Sequence, residues 1–267
     1  MAIFSHNDDP TRQMKRPPVA AGPPSGRTGG AGQPWRAVLK WAFSIGFTIV
    51  LFLSLVMAVM YQASGRSQAE HTIEAMMAPV LASPQFRSDL SVFTPGLLAY
   101  LEAPAFASAV YEDPEVLRQG IDGTPDNLRT TLYIISMPMT FLDSQAHSDY
   151  GEILMVLVVI SLGLGLLAAA FSRRLGRLVS PGICMALAAW IPLVTVLALR
   201  SGLAGRLSSG AGGGEEDVVA AATRYLAESI LNQAVSLFGI FSFLSLLLLI
   251  SAGMGALALG LREQDRR

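Results

Sequence analysis

Residues 41–61 read WAFSIGFTIVLFLSLVMAVMY, a run of 21 residues without a charged side chain. A helix needs about 20 apolar residues to cross the roughly 30 Å hydrocarbon core of a bilayer. Trp41 and Tyr61 stand at the two ends of the run, and such amphipathic rings favour the membrane–water interface. The stretch therefore predicts a transmembrane helix over residues 38–62.

Three further stretches have similar length and composition, and we predict transmembrane helices over residues 152–172, 179–200 and 230–261. Ser180-Pro181 has the form of a helix N-cap followed by proline, which predicts that the third helix begins there. Pro192 predicts a kink in the same helix. The expected fold class is an all-α integral membrane protein with four transmembrane helices.

The composition of the whole chain agrees with a membrane protein. It is 52% hydrophobic and 15% charged, whereas about a quarter of the residues of a soluble domain are charged. The net charge of −1 gives no basic surface, so nucleic acid is excluded as a partner. The single cysteine, Cys184, excludes an intramolecular disulfide framework and a cysteine-based zinc site.

The orientation follows from lysine and arginine, because positive residues beside a span resist translocation. Twelve of the 19 lie in the N-terminal tail, the loop 173–178 or the C-terminal tail 262–267. The other seven lie in or beside segments 63–151 and 201–229. We therefore expect a multi-pass protein of the plasma (inner) membrane with both termini in the cytoplasm. The residues that determine this topology are Arg36, Lys40, Arg173, Arg174, Arg177 and Arg262.

Two connecting segments are rich in small or conformationally special residues. Residues 1–37 contain PPVAAGPPSGRTGGAGQP, which buries too little apolar surface to offset ordering entropy, so we predict a disordered cytoplasmic tail. Residues 201–229 contain a glycine-rich linker followed by a segment of helical character. We expect an extracytoplasmic loop that continues as a helical stem into the fourth span.

Residues 63–151 carry the pattern of a small helical domain on the extracytoplasmic side. Apolar residues recur with a helical period of 3.6 at Ile73, Met76, Met77, Val80 and Leu81. Cap-then-proline pairs predict helix starts at Ser83-Pro84, Asp113-Pro114 and Thr124-Pro125, and Gly120 suits the left-handed residue that ends a helix. The apolar stretches 93–111 and 132–142 are expected to form domain core or lie on the outer leaflet. The alternative is a docking surface for another protein.

Groups able to carry chemistry are few. The three histidines, His6, His71 and His147, lie outside the predicted spans, which excludes haem held by intramembrane histidines and an intramembrane serine–histidine dyad. The sequence also lacks a G-x-S-x-G elbow and a phosphate-binding loop. A metal bridging His71, Glu74 and the group around His147 is a weak hypothesis, because nothing in the sequence brings them together. We predict no catalytic, cofactor-binding or metal-ligating residue and no cofactor.

Small residues repeat at intervals of four in the second and fourth spans, which suits close helix–helix contact. These predicted helix-packing residues are Ser161, Gly165, Ala169, Ala252, Ala256 and Gly260. Packing within the chain's own bundle is the favoured interpretation, and contact with a second protein is the alternative.

The functional expectation is a non-catalytic multi-pass subunit or an assembly or scaffold factor of a larger membrane complex. Its partners would be the lipid bilayer and other membrane-protein subunits, or further copies of itself. One alternative is an extracytoplasmic sensor or receptor with a separate signalling partner. A small homo-oligomeric channel or transporter is a third, weaker option, because ionisable groups, which often mark transport pathways, are missing from the interior of the predicted spans.

Overall fold

A computed structural model describes residues 34–172, 176–207 and 215–264. All regular secondary structure within these ranges is helical. Residues 1–33, 173–175, 208–214 and 265–267 lie outside the described ranges. The predictions of a disordered tail and of a glycine-rich linker fall mainly on these residues.

The described chain forms ten α-helices and one 3₁₀ helix, Met137–Phe141. The α-helices are α1 Pro34–Ala63, α2 Arg66–Ala82, α3 Pro84–Phe93, α4 Pro95–Leu101, α5 Phe106–Glu112, α6 Pro114–Asp122, α7 Asp126–Ser136, α8 Ser144–Ala170, α9 Gly176–Leu207 and α10 Glu215–Gln264.

Four helical segments are long and apolar enough to cross a membrane, which confirms the predicted number. The candidate spans are Val38–Ala63, Leu128–Ala170, Val179–Gly202 and Asp217–Gly255. They correspond to α1, to the α7–α8 region, to α9 and to α10. An all-helical protein with four helical segments long and apolar enough to cross a membrane is therefore the coarse description of the described residues.

The four long helices pack with α1 at the centre. α1 lies along α8 on one side and against both α9 and α10 on the other, while α9 and α10 pair closely with each other. Glycines set two of these approaches: a Cβ on Gly165 would lie 3.1 Å from Cε2 of Phe47, and one on Gly182 would lie 3.1 Å from Cδ2 of Leu249. α8 touches α9 over a shorter stretch, so it lies at the edge of the bundle.

Helices α2–α7 form a helical domain with its own apolar core. The predicted stripe of α2 is confirmed: Ile73, Met76, Met77 and Val80 are buried, and Leu81 packs partly buried against the core. The same core includes apolar residues of the first turns of α10. The domain is thus built on α10 as well as on its own six helices.

The three cap-then-proline pairs have different outcomes. α3 and α6 begin at the expected prolines, and the Asp113 carboxylate accepts a hydrogen bond from the backbone N–H of Glu115 at 3.0 Å. The Thr124-Pro125 prediction is wrong, because α7 begins one residue later at Asp126. The Thr124 hydroxyl instead donates to the carbonyl of Ile121 at 2.7 Å, so it serves the end of α6.

The prediction that Gly120 ends a helix is also wrong. α6 continues through Gly120 to Asp122, and the residue after it, Gly123, has an ordinary right-handed conformation with φ −78°. A Cβ on Gly120 would lie 2.9 Å from Cδ1 of Leu97. The glycine therefore allows α4 to approach α6 closely.

The third long helix begins earlier than Ser180-Pro181 predicts. α9 starts at Gly176, and both Pro181 and Pro192 lie inside it. The Ser180 hydroxyl lies 3.3 Å from the hydroxyl of Ser44 in α1, so it has a partner across the bundle and does not cap a helix end. α9 runs to Leu207, beyond the expected end near residue 200, and α10 is one helix that includes both the stem and the fourth span.

Candidate functional site

The junction between the helical domain and the bundle is short on the α1 side. Only Ser64 and Gly65 separate α1 from α2. Nδ1 of His147, in the first turns of α8, lies 3.0 Å from the Ser64 hydroxyl and 3.1 Å from the carbonyl oxygen of Tyr61. The His147 ring also stacks on the Tyr61 ring, with centroids 4.2 Å apart. α1 and α8 are therefore joined where the domain begins.

On the other side, α10 is joined to α2 by apolar and polar contacts. Val218 and Ala222 of α10 are buried in the domain core. About two turns after Ala222, the Ser229 hydroxyl accepts a hydrogen bond from Nε2 of Gln68 at 3.0 Å and lies 3.0 Å from the Thr72 hydroxyl. The domain thus contacts three of the four long helices, namely α1, α8 and α10.

A polar cleft of about 430 Å³ lies between α2 and α10 around this contact. Its lining residues come from the end of α1, from α2 and from α10, and nearly all of them carry a hydrogen-bonding group: Gln62, Gln68, His71, Thr72, Ala75, Tyr225, Glu228, Ser229, Asn232, Gln233 and Ser236. We call this feature the polar cleft.

The electrostatics of the polar cleft are close to neutral. Glu228 pairs with Arg224, whose Nε lies 2.8 Å from the carboxylate. Among the described residues, no lysine or arginine lines the cleft. The side-chain oxygen Oε1 of Gln233 is buried and accepts no hydrogen bond from the described protein. Leaving a buried acceptor unsatisfied costs about 1–3 kcal/mol, so a donor there would be favourable.

A second feature is an apolar surface on the helical domain. Ile134, Met137 and Phe141 are 52%, 64% and 52% exposed and follow one another at intervals of three and four residues along α7 and the 3₁₀ helix. We call them the exposed stripe. The other face of the same segment is buried in the core through Leu132, Ile135, Met139 and Leu142.

The apolar stretches 93–111 and 132–142 are therefore divided between two environments. Most of their large residues form domain core, as expected, including Leu97, Leu101, Phe106 and Val110. Phe93, Tyr133 and the exposed stripe are the exceptions.

The predicted helix-packing residues that the structure describes lie inside the bundle. Ser161 and Ala252 are buried, Ala169 is half-buried, and Gly165 faces Phe47 of α1. The side chains of Ala256 and Gly260 lie outside the described set. Of the topology-determining residues, Lys40 is half-buried on α1. The side chains of the others, Arg36, Arg173, Arg174, Arg177 and Arg262, are not described.

The weak metal hypothesis gains no support from the geometry. His71 lines the polar cleft, whereas His147 packs on Tyr61 at the α1–α8 junction. Among the described residues, no group of three or more histidine, cysteine, aspartate or glutamate side chains is arranged to hold a metal ion.

Sequence reasoning missed the polar cleft, although a signal was present. Polar residues on α2 and α10 each recur at the spacing of one helix face: Gln68, His71 and Thr72 on α2, and Ser229, Asn232, Gln233 and Ser236 on α10. Two polar stripes at helical spacing predict two helices that face each other across a hydrated or liganded space.

Comparison with known proteins adds no assignment. No protein-family description, curated protein or solved structure matches the chain.

Proposed function

We propose that the protein is a non-catalytic subunit, or an assembly or scaffold factor, of a larger membrane complex. It acts through contacts made by its helical bundle and its helical domain, and its partners are other membrane-protein subunits. The lipid bilayer surrounds the bundle.

The observation that carries this proposal is the exposed stripe. Apolar side chains on α1, α8, α9 and α10 are expected to be covered by lipid. The stripe falls within the candidate span Leu128–Ala170, but it lies in α7 and the 3₁₀ helix ahead of α8, and the opposite face of that segment is buried in the core of the helical domain. Three large apolar side chains at helical spacing on one side of a folded domain are typical of a surface that another protein covers. The edge position of α8 is consistent with this proposal, since it leaves much of that helix free for a neighbouring subunit.

The test is purification of the tagged protein at native expression in a mild detergent, with the mass and composition of the particle measured. We expect defined foreign subunits in fixed stoichiometry. Met137→Asp should release them, whereas Val92→Asp, at an equally exposed apolar residue on α3, should not. A particle that contains only this chain, or one that keeps its subunits in the Met137→Asp variant, contradicts the proposal.

We further propose that the protein lies in the plasma (inner) membrane with both termini in the cytoplasm and the helical domain outside. The distribution of arginine and lysine supports this orientation. In a Cys184→Ser background, a membrane-impermeant maleimide added to intact cells should label Gln119→Cys, an exposed position on α6. It should label Ser25→Cys only after the membrane is opened. The reverse pattern would contradict the orientation.

A second candidate function is a sensor or receptor, favoured by the polar cleft and by the joined helices. A ligand held between α2 and α10 would touch the domain and a candidate spanning helix at once, because α10 is continuous from Glu215 to Gln264. Such a protein would need a separate partner for its output. Ligand-dependent changes in the subunits that co-purify would support this function over a purely structural role.

A further inference from the structure

We propose that the polar cleft is a binding site for a neutral polyhydroxylated ligand, namely a sugar that is either free or carried as the headgroup of a glycolipid. This inference is independent of the proposed role as a complex subunit. It rests on the shape, lining and charge of the space between α2 and α10.

The two packed helices α2 and α10 face each other through polar groups. α2 already buries an apolar stripe in the domain core, and its neighbouring face carries Gln68, His71 and Thr72 toward α10. Ser229 joins the two helices by hydrogen bonds. A cleft of about 430 Å³ that is partly open to its surroundings lies around that contact, within the range of small-molecule sites, which is about 300–1,000 Å³.

The side chains that line the cleft match the hydrogen-bonding groups of a sugar. Carboxamides and hydroxyls both donate and accept hydrogen bonds, as sugar hydroxyls do. The cleft contains four carboxamides and four hydroxyls, from Gln62, Gln68, Asn232, Gln233, Thr72, Ser229, Ser236 and Tyr225. The buried Oε1 of Gln233 accepts no hydrogen bond from the described protein, and a rotation of this side chain toward the cleft would let it accept one from a ligand hydroxyl. The Tyr225 ring adds a flat apolar face of the kind that packs against the C–H groups of a sugar ring.

The charge of the cleft favours a neutral ligand. In the part of the chain that the structure describes, the lining includes no lysine or arginine to bind a phosphate or carboxylate. Its one carboxylate, Glu228, is already paired with Arg224, so a cation gains little there. A neutral ligand fits this balance better than an anion or a cation.

The position of the cleft allows both sources of sugar. Ser236 lies in the apolar part of α10. Tyr225 lies about 16 Å closer to the N-terminus of the same helix, at 1.5 Å per residue. The end of the cleft beside Gln62 and Ser236 therefore lies near the level where the predicted membrane spans begin. A glycolipid headgroup would reach that end from the membrane, and a free sugar would enter from the domain side.

The test uses the full chain in phosphatidylcholine nanodiscs prepared without sugar-based detergent. Binding of N-acetylglucosamine, maltose and trehalose is measured by saturation-transfer NMR and titration calorimetry, with glucose 6-phosphate and choline as charged probes. A second set of discs contains diglucosyl diacylglycerol. Saturable binding of a neutral sugar, in either set, supports the proposal. Binding in plain discs assigns the site to free sugar, and binding only in the glycolipid discs assigns it to the headgroup.

Two variants link binding to the cleft. Gln233→Leu removes the buried acceptor and should weaken binding about tenfold or more, as expected for the loss of a buried hydrogen bond. Gln119→Leu, on the exposed face of α6, is the matched control and should bind normally. If Gln233→Leu does not fold, Asn232→Asp is used instead, because it keeps the size and removes a donor. The proposal is overturned if no neutral sugar binds in either set of discs, if a charged probe binds more tightly, or if folded cleft variants bind like the control.

Discussion

The helical domain and the bundle of long helices bury different kinds of side chain. The largest side chains that are almost completely buried all lie between residues 64 and 142, among them Ile73, Leu90, Leu117 and Leu132. The bundle buries mainly small residues, such as Ser54, Ser161, Ala188, Ala189, Ala234, Ser245 and Ala252. Its large apolar side chains mostly point outward.

The difference agrees with the two solvents that we expect for these regions, water around the helical domain and lipid around the long helices. In water, burying large apolar side chains is the main favourable term in folding. Between helices in lipid that term is absent, and close contact through small residues stabilises the packing instead. A single chain therefore combines two packing rules, and they meet at the Ser64–His147 contact and along α10.

The largest expected effect distinguishes the two regions with the same substitution. Leu90→Ala, at a fully buried position, should lower the free energy of unfolding by about 2–5 kcal/mol because it leaves a cavity. Leu166→Ala, at an outward-facing position of α8, should change it by less than about 0.5 kcal/mol. Denaturant unfolding of both variants in detergent provides the measurement. Equal losses would mean that the two regions do not differ.

The next effect tests small-residue packing in the bundle. Gly165→Leu should cost about 1–3 kcal/mol, because its side chain would have to displace Phe47 and separate α1 from α8. Gly163→Leu is the matched control, since a Cβ there meets open space. Unfolding in detergent should show a loss only for Gly165→Leu. An equal loss of unfolding free energy for Gly163→Leu would mean that the face of α8 that carries Gly165 is not specially sensitive to a larger side chain.

A smaller effect is expected where the two regions meet. Thr72→Val removes a hydroxyl 3.0 Å from that of Ser229 and should cost about 0.5–1.5 kcal/mol, the usual contribution of one hydrogen bond. Thr223→Val, an exposed threonine of α10 that bonds to its own helix, should be nearly neutral. A double-mutant cycle with Ser229→Ala isolates the contact. Additive losses would mean that the pair does not couple α2 to α10.

The smallest effect is a pH dependence within the domain. Burial raises the pKa of Tyr100, with a further contribution from Asp113. The folded state therefore keeps this proton at a pH where the unfolded state has lost it, so this contribution to stability falls as the pH rises above about 10. Tyr100→Phe should reduce that alkaline loss and should cost little at neutral pH, because the buried hydroxyl has no hydrogen-bond partner among the described residues. Unfolding measured from neutral to alkaline pH tests both statements, and an unchanged alkaline slope would contradict them.

Features that depend on periodicity along one helix could be predicted from the sequence. The number of apolar helices and the buried stripe of α2 belong to this class. Local cap signals were less reliable, because Thr124, Gly120 and Ser180 each serve a neighbouring helix or helix end through contacts that sequence spacing does not reveal. The polar cleft was missed because Asn232 and Gln233 lie beside the apolar run of the fourth span, where two polar residues look incidental until α2 is placed against them.

We propose that the outward-facing surfaces of the two regions face different solvents, water at the helical domain and lipid at the long helices. Val92 on α3 and Leu166 on α8 are 70% and 73% exposed in the protein, so exposure alone does not distinguish them. In a Cys184→Ser background reconstituted into liposomes, Val92→Cys and Leu166→Cys are each treated with a water-soluble maleimide and with a lipid-soluble one. We predict that the water-soluble reagent labels Val92→Cys rapidly and leaves Leu166→Cys unlabelled, while the lipid-soluble reagent labels both. Equal labelling of the two positions by the water-soluble reagent would contradict the assignment of α8 to the membrane.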